Sequence, residues 1–599
     1  EFINCLHEDN HLCQVLLEDG SITTIGDFAF AGCVSLSEVI IGSGVESIGK
    51  NAFYKCSSLA YADLPENLKD LGAAAFGGCE SLESIVLPDG LETIGSGAFS
   101  GCAALTEITI PEKIKELGST VFDNCSSLKT IYLNTLDCTF TGLRDTEHAE
   151  IKYSPFSDCE SLEKIVLPEG IEIIPDYLFA GLKSISVVDI PESVKSIGKG
   201  AFAFSSVKEL TGCEGVEKIG EYCFYKTENF GEFVLPEKVT DISPYTFAYS
   251  GINSFVATDN LESILESAFE GCQNLESVDL KNNVMIIDNN TFSDCGSLKN
   301  IVVPDSVKNV GNGAFADCGA LETVYMSANV SFIPTECFSN NSALSSLTWN
   351  SESKLVGRMA FGNCSSLDSF DFNNVEKLYD NSFSGSGITT VMLGEKTDET
   401  HSALEEIEVQ SFMDCMSLAS VSIGGNVETI KTQAFANCEN LEIAVISDTV
   451  MDIAADAFDG CDNLTIYCTE DSYAHSFAES RGIEFAIVAK DIETAEIAAI
   501  AVQDYTGKEV KPDIIVTDGA KVLREGTDYT VTYKDNVEPG TATAVITGKG
   551  NYSGTKAVEY EIEELDPVQN ILNTVLSFFT SVWIKITEFF SQFIITRNK

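Results

Sequence analysis

The first segment of the chain that could do chemistry contains two cysteines and two histidines. Cys5, His7, His11 and Cys13 lie within nine residues. Two thiolates and two imidazoles make a tetrahedral ligand set that zinc accepts, although this spacing is not a standard zinc-finger pattern. The segment therefore predicts either a zinc site or, more simply, a degenerate N-terminal cap whose two cysteines are free or paired.

Most of the other cysteines share one position, three residues after a recurring Phe. Thirteen of the 20 cysteines lie there: 33, 56, 79, 102, 125, 159, 272, 295, 318, 364, 415, 438 and 461. In six further repeats the position holds Leu182, Ser205, Thr227, Ser250, Asn341 or Ser386. The position thus favours a small side chain, and we expect inert buried thiols, which suit a reducing or anaerobic setting. The alternative is a disulfide or reactive ladder, although parallel side chains make the disulfide torsion awkward.

Candidate catalytic groups are sparse. The five histidines fall in no hydrolase, metalloprotease or phosphate-loop motif. The run of Glu405, Glu406 and Glu408 is typical of a solvated surface rather than a glycosidase pair. Residues 456–462 lack the alternating ligands and the closing Glu of a calcium loop. The sequence therefore predicts no enzyme and no cofactor.

The charge of the chain limits its partners. The 599 residues include 92 acidic and 36 basic side chains, which gives a net charge of −56. This negative field repels phosphate backbones and anionic headgroups, so a nucleic-acid partner is not expected. Hydrophobic residues make up 44% of the chain and recur regularly, so the acidity does not indicate disorder.

The elements that must position these residues repeat along the chain. A Phe recurs mostly every 22 or 23 residues, at positions 30, 53, 76, 99, 122, 156, 179, 202, 224, 247, 269, 292, 315, 338, 361, 383, 412, 435 and 458. One coil of this length cannot bury its apolar positions alone, so neighbouring coils must stack. The period predicts a repeat solenoid of about 19 coils.

The repeat frame is clearest from Leu82 to Cys102, which reads L-x-x-I-x-x-P-x-x-L-x-x-I-G-x-x-A-F-x-x-C. This frame resembles the BspA-like class of bacterial leucine-rich repeats, and similar frames run over residues 22–463. The resemblance implies a right-handed array in which each coil has a β-strand and a short helical or irregular convex segment. It also implies a secreted or surface-anchored protein that binds host molecules or other cells.

Within each coil, the L-x-x-I-x-I stretch alternates between buried and outward positions and predicts a strand. Pro at its end stops the sheet, and Gly in the following I-G pair is expected to permit the turn toward the next Phe. The outward residues predict a ligand-binding concave face, with best contacts at Tyr61, Asp63, Thr130, Tyr132, Asp279, Thr323 and Tyr325. The alternative is that these are ordinary strand residues.

Four further regions lie outside the repeats of residues 22–463, and the last of them is the tail of residues 565–599. Residues 1–21 are expected to form an N-terminal cap and residues 464–490 a C-terminal cap. Residues 491–564 contain short alternating strands and resemble bacterial Ig-like modules, so we expect a small β-sandwich there. Two insertions, at residues 134–155 and 394–403, predict surface loops that either carry recognition or are merely tolerated.

The tail of residues 565–599 predicts an amphipathic helix. Its apolar residues, within residues 571–595, lie on the opposite side of the helix from Lys585, Glu588 and other polar residues. The helix could therefore contact a membrane or envelope, act as an anchor, or pack on the protein itself. Residues 1–7 lack the features of a signal peptide. Because the resemblance implies secretion, we expect the N terminus to be processed or truncated.

These observations lead to one functional hypothesis and one alternative. The hypothesis is a non-enzymatic protein, secreted or at the cell surface, that mediates adhesion or holds a protein or glycan ligand, host-derived or not, on the concave face. The alternative is a structural spacer of the cell surface without a dedicated ligand. A binder predicts an exposed apolar and aromatic patch on the face, whereas a spacer predicts an evenly polar one.

Overall fold

The computed structural model describes residues 14–17, 20–135, 138–140, 154–156, 159–228, 230–352, 354–394, 404–505 and 508–563. The possible zinc ligands of residues 5–13, most of both insertions and the tail from residue 564 lie outside the described residues. The chain divides into a repeat unit, residues up to 442 with 452–463, and a C-terminal unit, residues 443–451 with 464 onward.

The repeat unit is a β-solenoid in which most coils contribute a first strand and a short second strand. The first strands are Gln14–Leu17, Glu38–Ile41, Tyr61–Asp63, Glu107–Ile110, Thr130–Leu133, Lys164–Val166, Val187–Asp189, Glu209–Thr211, Glu232–Val234, Ser254–Val256, Ser277–Asp279, Asn300–Val302, Thr323–Met326, Ser346–Trp349, Thr390–Leu393 and Ser420–Ile423. They pair in parallel at matching repeat positions, as Tyr132 does with Thr109 and Val166. The predicted solenoid of about 19 coils is confirmed.

The second strands replace the convex segment that was expected to be helical or irregular. They are Thr24–Ile25, Ser47–Ile48, Asp70–Leu71, Thr93–Ile94, Glu116–Leu117, Thr139–Phe140, Ile173–Ile174, Ser196–Ile197, Lys218–Ile219, Asp241–Ile242, Ser263–Ile264, Ile286–Ile287, Asn309–Val310, Phe332–Ile333, Lys354–Val356, Val375–Leu378, Glu406–Ile407, Thr429–Ile430 and Asp452–Ile453. Turns connect them to the repeat Phe. In the described part of this unit, the one helical segment is the 3₁₀ turn Cys213–Gly215.

The recurring Phe side chains form a buried ladder through the coils. The rings of Phe30 and Phe53 stack with centroids 5.1 Å apart and planes 3° apart, and Phe99 and Phe122 stack at 5.6 Å and 6°. The ladder tilts at the first insertion, where the planes of Phe122 and Phe156 differ by 32°. Parallel offset rings in a dry core add favourable contacts beyond their buried area, so each ring locks two coils together.

Two corners flank most of the repeat Phe residues, because residues two before and two after them adopt the left-handed conformation. Asn51 has φ 56° and Lys55 has φ 59° around Phe53. The amides at these positions and at the Phe itself donate to the next coil, as Phe30 N does to the carbonyl oxygen of Ala52 at 2.7 Å. This intercoil ladder of hydrogen bonds dictates the backbone conformation, whichever side chain is present.

The Gly of the I-G pair acts differently from our expectation. Its φ is not left-handed, but a Cβ on Gly72 would lie 2.6 Å from the backbone carbon of Gly49, and one on Gly118 would lie 2.2 Å from Ser96 N. Close approach of two backbones, rather than a turn that other residues cannot make, therefore explains this Gly.

The position three residues after the Phe supplies a hydrogen-bond donor. The Cys56 thiol donates to the carbonyl oxygen of Phe30 in the preceding coil at 3.1 Å, and most later cysteines repeat this contact. Thr227 and Asn341 donate in the same way at 3.1 and 2.9 Å. The thirteen cysteines are buried as reduced thiols. Burial raises the pKa of the Cys125 thiol to about 12.

The C-terminal unit begins with the strand Ile443–Ile446 and the parallel pair Thr465–Cys468 and Glu484–Ile487, which the helix Tyr473–Arg481 connects. The hydroxyl of Ser472 accepts from His475 N at the start of the helix, and Gly482, with φ 69°, ends it. The pair of strands and the helix lie within residues 464–490, the predicted C-terminal cap, whereas Ile443–Ile446 belongs to the predicted repeats. In the described part of the chain, no helix has the length and apolar character needed to cross a bilayer.

The remaining strands of this unit are Lys490–Asp491, Glu496–Ile497, Gln503–Asp504, Val516–Asp518, Lys521–Val522, Tyr529–Lys534, Gly540–Gly548, Tyr552–Ser553 and Thr555–Glu563, with a 3₁₀ turn at Ile492–Thr494. Two buried clusters lie among them, one around Val516 and Ile546 and another around Ala544 and Tyr560. The Tyr560 hydroxyl donates to the carbonyl oxygen of Val510 at 2.8 Å. The Ig-like assignment stays a prediction.

Candidate binding surface

The outward side chains of the first strands form one surface, which we call the strand face. Period-two alternation builds it: Ala62 is buried while Tyr61 and Asp63 are exposed, and Thr323–Met326 alternates in the same way. The structure places all seven predicted contacts on this face. Six are exposed, and Thr130 is half-buried.

The predicted contacts do not form one cluster, because the first strands fall into several short sheets. Tyr61 and Asp63 share a sheet with Glu38–Ile41, whereas Thr130 and Tyr132 lie in another. Asp279 is in a third sheet, and Thr323 and Tyr325 are in a fourth. The segment of residues 84–87 keeps the alternation but forms no ladder with its neighbours. Their role in binding stays a prediction.

The strand face also carries exposed valines that the sequence analysis missed. Val234 is 80% exposed, Val302 is 57% exposed and Val256 is 46% exposed. They occupy the same outward column as Asp63 and Tyr132. The predicted contacts did not include these valines, although their place in the repeat frame was the signal that marked them as outward.

Register brings several of these side chains together. Val234 pairs with Val256 on the neighbouring strand, and Val302 pairs with Tyr325. Only the coil of Asp279 separates the two pairs, and Val256 is opposite Asp279. We call Val234, Val256, Val302 and Tyr325 the apolar stripe. These four side chains are apolar or aromatic and lie in one outward column.

A pocket of about 290 Å³ lies at the end of the stripe where Val234 and Val256 meet the following turns. Its lining also includes Phe233, Leu235, Glu237, Ser254, Ala257, Thr258, Asp259 and Lys281. A neighbouring pocket of about 540 Å³ shares Asp259 and has a more polar lining of Lys238, Thr240, Asn260, Glu262, Asn283 and Met285. The pockets give the stripe a concave end with charged residues at its edge.

The polar groups around the first pocket differ in whether they have hydrogen-bond partners. The Lys281 ammonium pairs with the Asp279 carboxylate, and this hydrogen bond holds the pKa of Asp279 below its ordinary value. In contrast, the Thr258 hydroxyl is buried and has no hydrogen-bond partner among the described residues. A buried unsatisfied hydroxyl is unfavourable, so a polar group that reached it would gain a hydrogen bond.

The part of the chain that the structure describes contains no candidate metal site. No group of three or more His, Cys, Asp or Glu side chains there could hold an ion. The possible ligands Cys5, His7, His11 and Cys13 lie outside the described residues, so a zinc site there stays a prediction.

A parallel two-strand coil with a buried aromatic ladder defines a leucine-rich-repeat solenoid. The sequence matches the BspA type leucine rich repeat region over residues 5–139, 149–276, 262–390, 333–465 and 396–495, with six copies. The chain belongs to this family, as the frame of Leu82 to Cys102 indicated. No curated protein gives a significant match.

Several solved structures are similar to this chain. A leucine-rich repeat protein from Bacteroides ovatus is 23% identical, covers 78% of this chain and 88% of its own, and has a TM-score of 0.27. The pneumococcal vaccine antigen PcpA is 16% identical, with coverage of 80% and 90% and a TM-score of 0.28. A leucine rich cell surface protein from Faecalibacterium prausnitzii is 20% identical, with coverage of 79% and 92% and a TM-score of 0.20. These scores are too low to support an argument about function.

Proposed function

We propose that this protein is a non-enzymatic binding protein, secreted or at the cell surface, that holds a partner protein against the strand face. Membership of a repeat family that serves as a scaffold for protein interaction supports this proposal. The observation that carries it is the apolar stripe. A surface spacer has no need for valines that are 80% and 57% exposed in one outward column of the strand face.

The stripe has the anatomy of an interaction hot spot. Two pairs of apolar and aromatic side chains flank the exposed Asp279, a pocket lies at one end, and Glu237, Asp259 and Lys281 line that pocket. Protein interfaces gain most of their affinity from desolvated apolar side chains of this kind, while the polar residues around them contribute orientation. An apolar anchor of the partner would enter the pocket beside Val234, and the net charge of −56 favours a partner with a basic rim.

The experiment that tests this function places a charge on the stripe. The full chain carrying Val234→Asp and Val302→Asp is compared with the unchanged protein in pull-downs from host-cell and matrix extracts, followed by affinity measurement with the partner that mass spectrometry identifies. Because each charge would be desolvated at the interface, we expect roughly a hundredfold or greater loss of affinity.

The matched control is Ile173→Asp, since Ile173 is 57% exposed but lies on a second strand rather than on the strand face. It should bind as the unchanged protein does. Equal binding by the stripe variant, or equal weakening by the control, would contradict recognition through the strand face. Failure to capture any partner under both conditions would favour the spacer.

A further inference from the structure

A second surface of the repeat unit, distant in the coil from the first strands, carries a cluster of aromatic side chains at the corners around the Phe ladder. We call Tyr177, Phe204, Tyr222, Tyr225, Tyr245 and Tyr249 the aromatic patch. Among the described residues, six aromatics have a left-handed φ, and five of them lie in this patch within four successive coils. The sixth is Phe28 in the first coil.

The corners do not need aromatic residues. Corresponding positions elsewhere hold Gly78, Gly101, Asn51 or Asn290, residues that tolerate the left-handed region well. Tyr222, Tyr245 and Tyr249 each adopt it with φ 57°, which strains a bulky side chain. The intercoil hydrogen bonds impose this conformation on corners of many residue types, including Lys55, Met359 and Gln433, so the choice of residue, and not the strain, distinguishes these coils. The aromatic corners build a cluster in which Tyr177 and Tyr225 are buried while Phe204, Tyr222 and Tyr245 are only partly buried, so the cluster presents aromatic surface to solvent.

The rings hold one another in place. Tyr225 is almost fully buried, and Phe204, Tyr222 and Tyr249 meet it edge to face with centroids 5.5, 5.7 and 5.7 Å away. Tyr222 and Tyr245 stack in parallel at 4.8 Å. Tyr249 lies over Gly271, where a Cβ would come within 2.3 Å of the ring. A surface fixed in this way loses little side-chain entropy when a ligand binds.

Charged groups surround the patch on both sides. The Lys226 ammonium lies 5.5 to 6.0 Å from the ring centres of Phe204, Tyr225 and Tyr249. Lys199 lies 5.2 Å from the Tyr222 ring and pairs with Glu221 at 3.0 Å. The Tyr249 hydroxyl donates to Glu270 at 2.7 Å. Donors and acceptors therefore alternate around partly exposed rings.

We propose that the aromatic patch binds a neutral oligosaccharide. A pyranose combines an apolar C–H face with a rim of hydroxyls, and the electron-rich rings attract the C–H groups while ammonium and carboxylate groups hydrogen-bond the hydroxyls. The coils repeat at about 4.8 Å, close to the length of one hexose in an extended chain, so successive coils offer successive subsites. A neutral oligosaccharide therefore uses both the aromatic rings and the hydrogen-bonding groups of the patch.

Other ligands fit the patch less well. Acidic glycans are repelled by a chain of net charge −56. A basic peptide would meet Lys199 and Lys226 already placed over the rings. With Tyr177 and Tyr225 buried, the patch presents on the order of a few hundred Å², below the roughly 800 Å² per partner that a stable protein interface buries.

The test uses the full chain with three neutral probes, cellohexaose, maltohexaose and mannohexaose, and two others, a hyaluronan hexamer and a proline-rich decapeptide. Saturation-transfer NMR detects binding, and calorimetry gives the affinity. We expect at least one neutral hexaose to bind. A variant with Tyr245→Asn and Tyr249→Gly, residues that other corners already carry, should weaken that binding by roughly tenfold or more. Tyr61→Ala, on the strand face, should leave it unchanged.

A second measurement needs no variant. Bound hexaose should protect Tyr245 and Tyr249 of the unchanged protein from iodination, as mapped by mass spectrometry, while Tyr61 stays reactive. The proposal is overturned if no neutral hexaose binds, if only hyaluronan or the peptide binds, if the double variant binds with unchanged affinity, or if the tyrosines are not protected. None of these results affects the strand face, because the stripe variant tests that surface separately.

Discussion

The coils of residues 22–133 and those of residues 177–271 share one internal frame but present different exteriors. In the first region Phe53 and Phe76 stack at 5.1 Å, and in the second Phe179 and Phe202 stack at 4.9 Å. The corners differ: the first region has Asn51, Lys55, Ala74 and Gly78, while the second has Tyr177, Phe204, Tyr222, Tyr245 and Tyr249. The ladder and the intercoil amides therefore specify the coil, and the corners are available for other tasks.

The residue type three positions after the Phe also differs between the two regions. The first region has Cys56, Cys79, Cys102 and Cys125 there, whereas the second has Leu182, Ser205, Thr227 and Ser250 before Cys272. Thr227 donates to a Phe carbonyl just as Cys102 does. The position thus tolerates a thiol, a hydroxyl or, at Leu182, a side chain that donates no hydrogen bond, so thiol chemistry is not what this position provides.

The largest expected effect tests whether the ladder is truly common to both regions. Phe99→Ala and Phe224→Ala each remove a fully buried ring that stacks on two neighbours. Each should lower the free energy of unfolding by about 3–5 kcal/mol, measured by urea denaturation. Phe224 also contacts Phe230 at 4.6 Å, so its loss should be the greater. A loss below about 1 kcal/mol at either site would show that the ladder does not stabilise both regions.

The ladder was predictable because its period is written in the sequence. A side chain that recurs every 22 or 23 residues must occupy the same place in every coil. The second strands were not predictable, since two residues such as Thr93–Ile94 pair only because the neighbouring coils supply partners. The left-handed corners were hidden too, because Asn51, Lys55 and Tyr245 share a conformation without sharing a residue type.

The candidate surface was predictable in position but not in composition. Alternation placed Tyr61, Tyr132 and Tyr325 outward, and the structure has them there. The exposed Val234 was not among the predicted contacts, although its repeat position was outward. The pocket beside it could not be anticipated, because it depends on how the turns after two strands separate rather than on any single side chain.

The next effect concerns the close approach of backbones between coils in the first region. Gly118→Ala would place a Cβ 2.2 Å from Ser96 N, so it should cost about 1–3 kcal/mol of stability. Gly319→Ala is the matched control, since no atom lies within 4 Å of its Cβ position. Thermal unfolding of both variants measures the difference. Equal stability of the two proteins would mean that the coils can separate at this Gly without cost.

A smaller effect depends on pH and distinguishes thiol-bearing coils from hydroxyl-bearing coils. Burial raises the pKa of Cys125 from 9.0 to about 12. Between these values the unfolded chain loses the thiol proton while the folded chain keeps it, so stability is full below pH 9 and falls as the pH rises. The slope is at most about 1.4 kcal/mol per pH unit for this thiol.

Cys125→Ser keeps a small donor but removes that ionisation. Urea midpoints measured from pH 7 to pH 11 should therefore fall less steeply above pH 9 in this variant than in the unchanged protein. Thr227→Ser, at the same position in the second region, serves as the control and should leave the alkaline slope unaltered. Parallel curves for the unchanged protein and Cys125→Ser would show that the thiol is accessible and ionises in the folded state.

The smallest expected effect is a change in stability that tests whether the aromatic corners stabilise the second region at all. Tyr249→Gly relieves a left-handed tyrosine, which favours stability by about 1–2 kcal/mol. It also removes the edge-to-face contact with Tyr225 and the hydrogen bond to Glu270, which together are worth about 1–3 kcal/mol. The two contributions nearly cancel, so we expect a net change within about 1 kcal/mol by urea denaturation. A much larger loss would mean that the rings stabilise the fold, as the ladder does, and would remove the argument that these corners are aromatic because a ligand binds them.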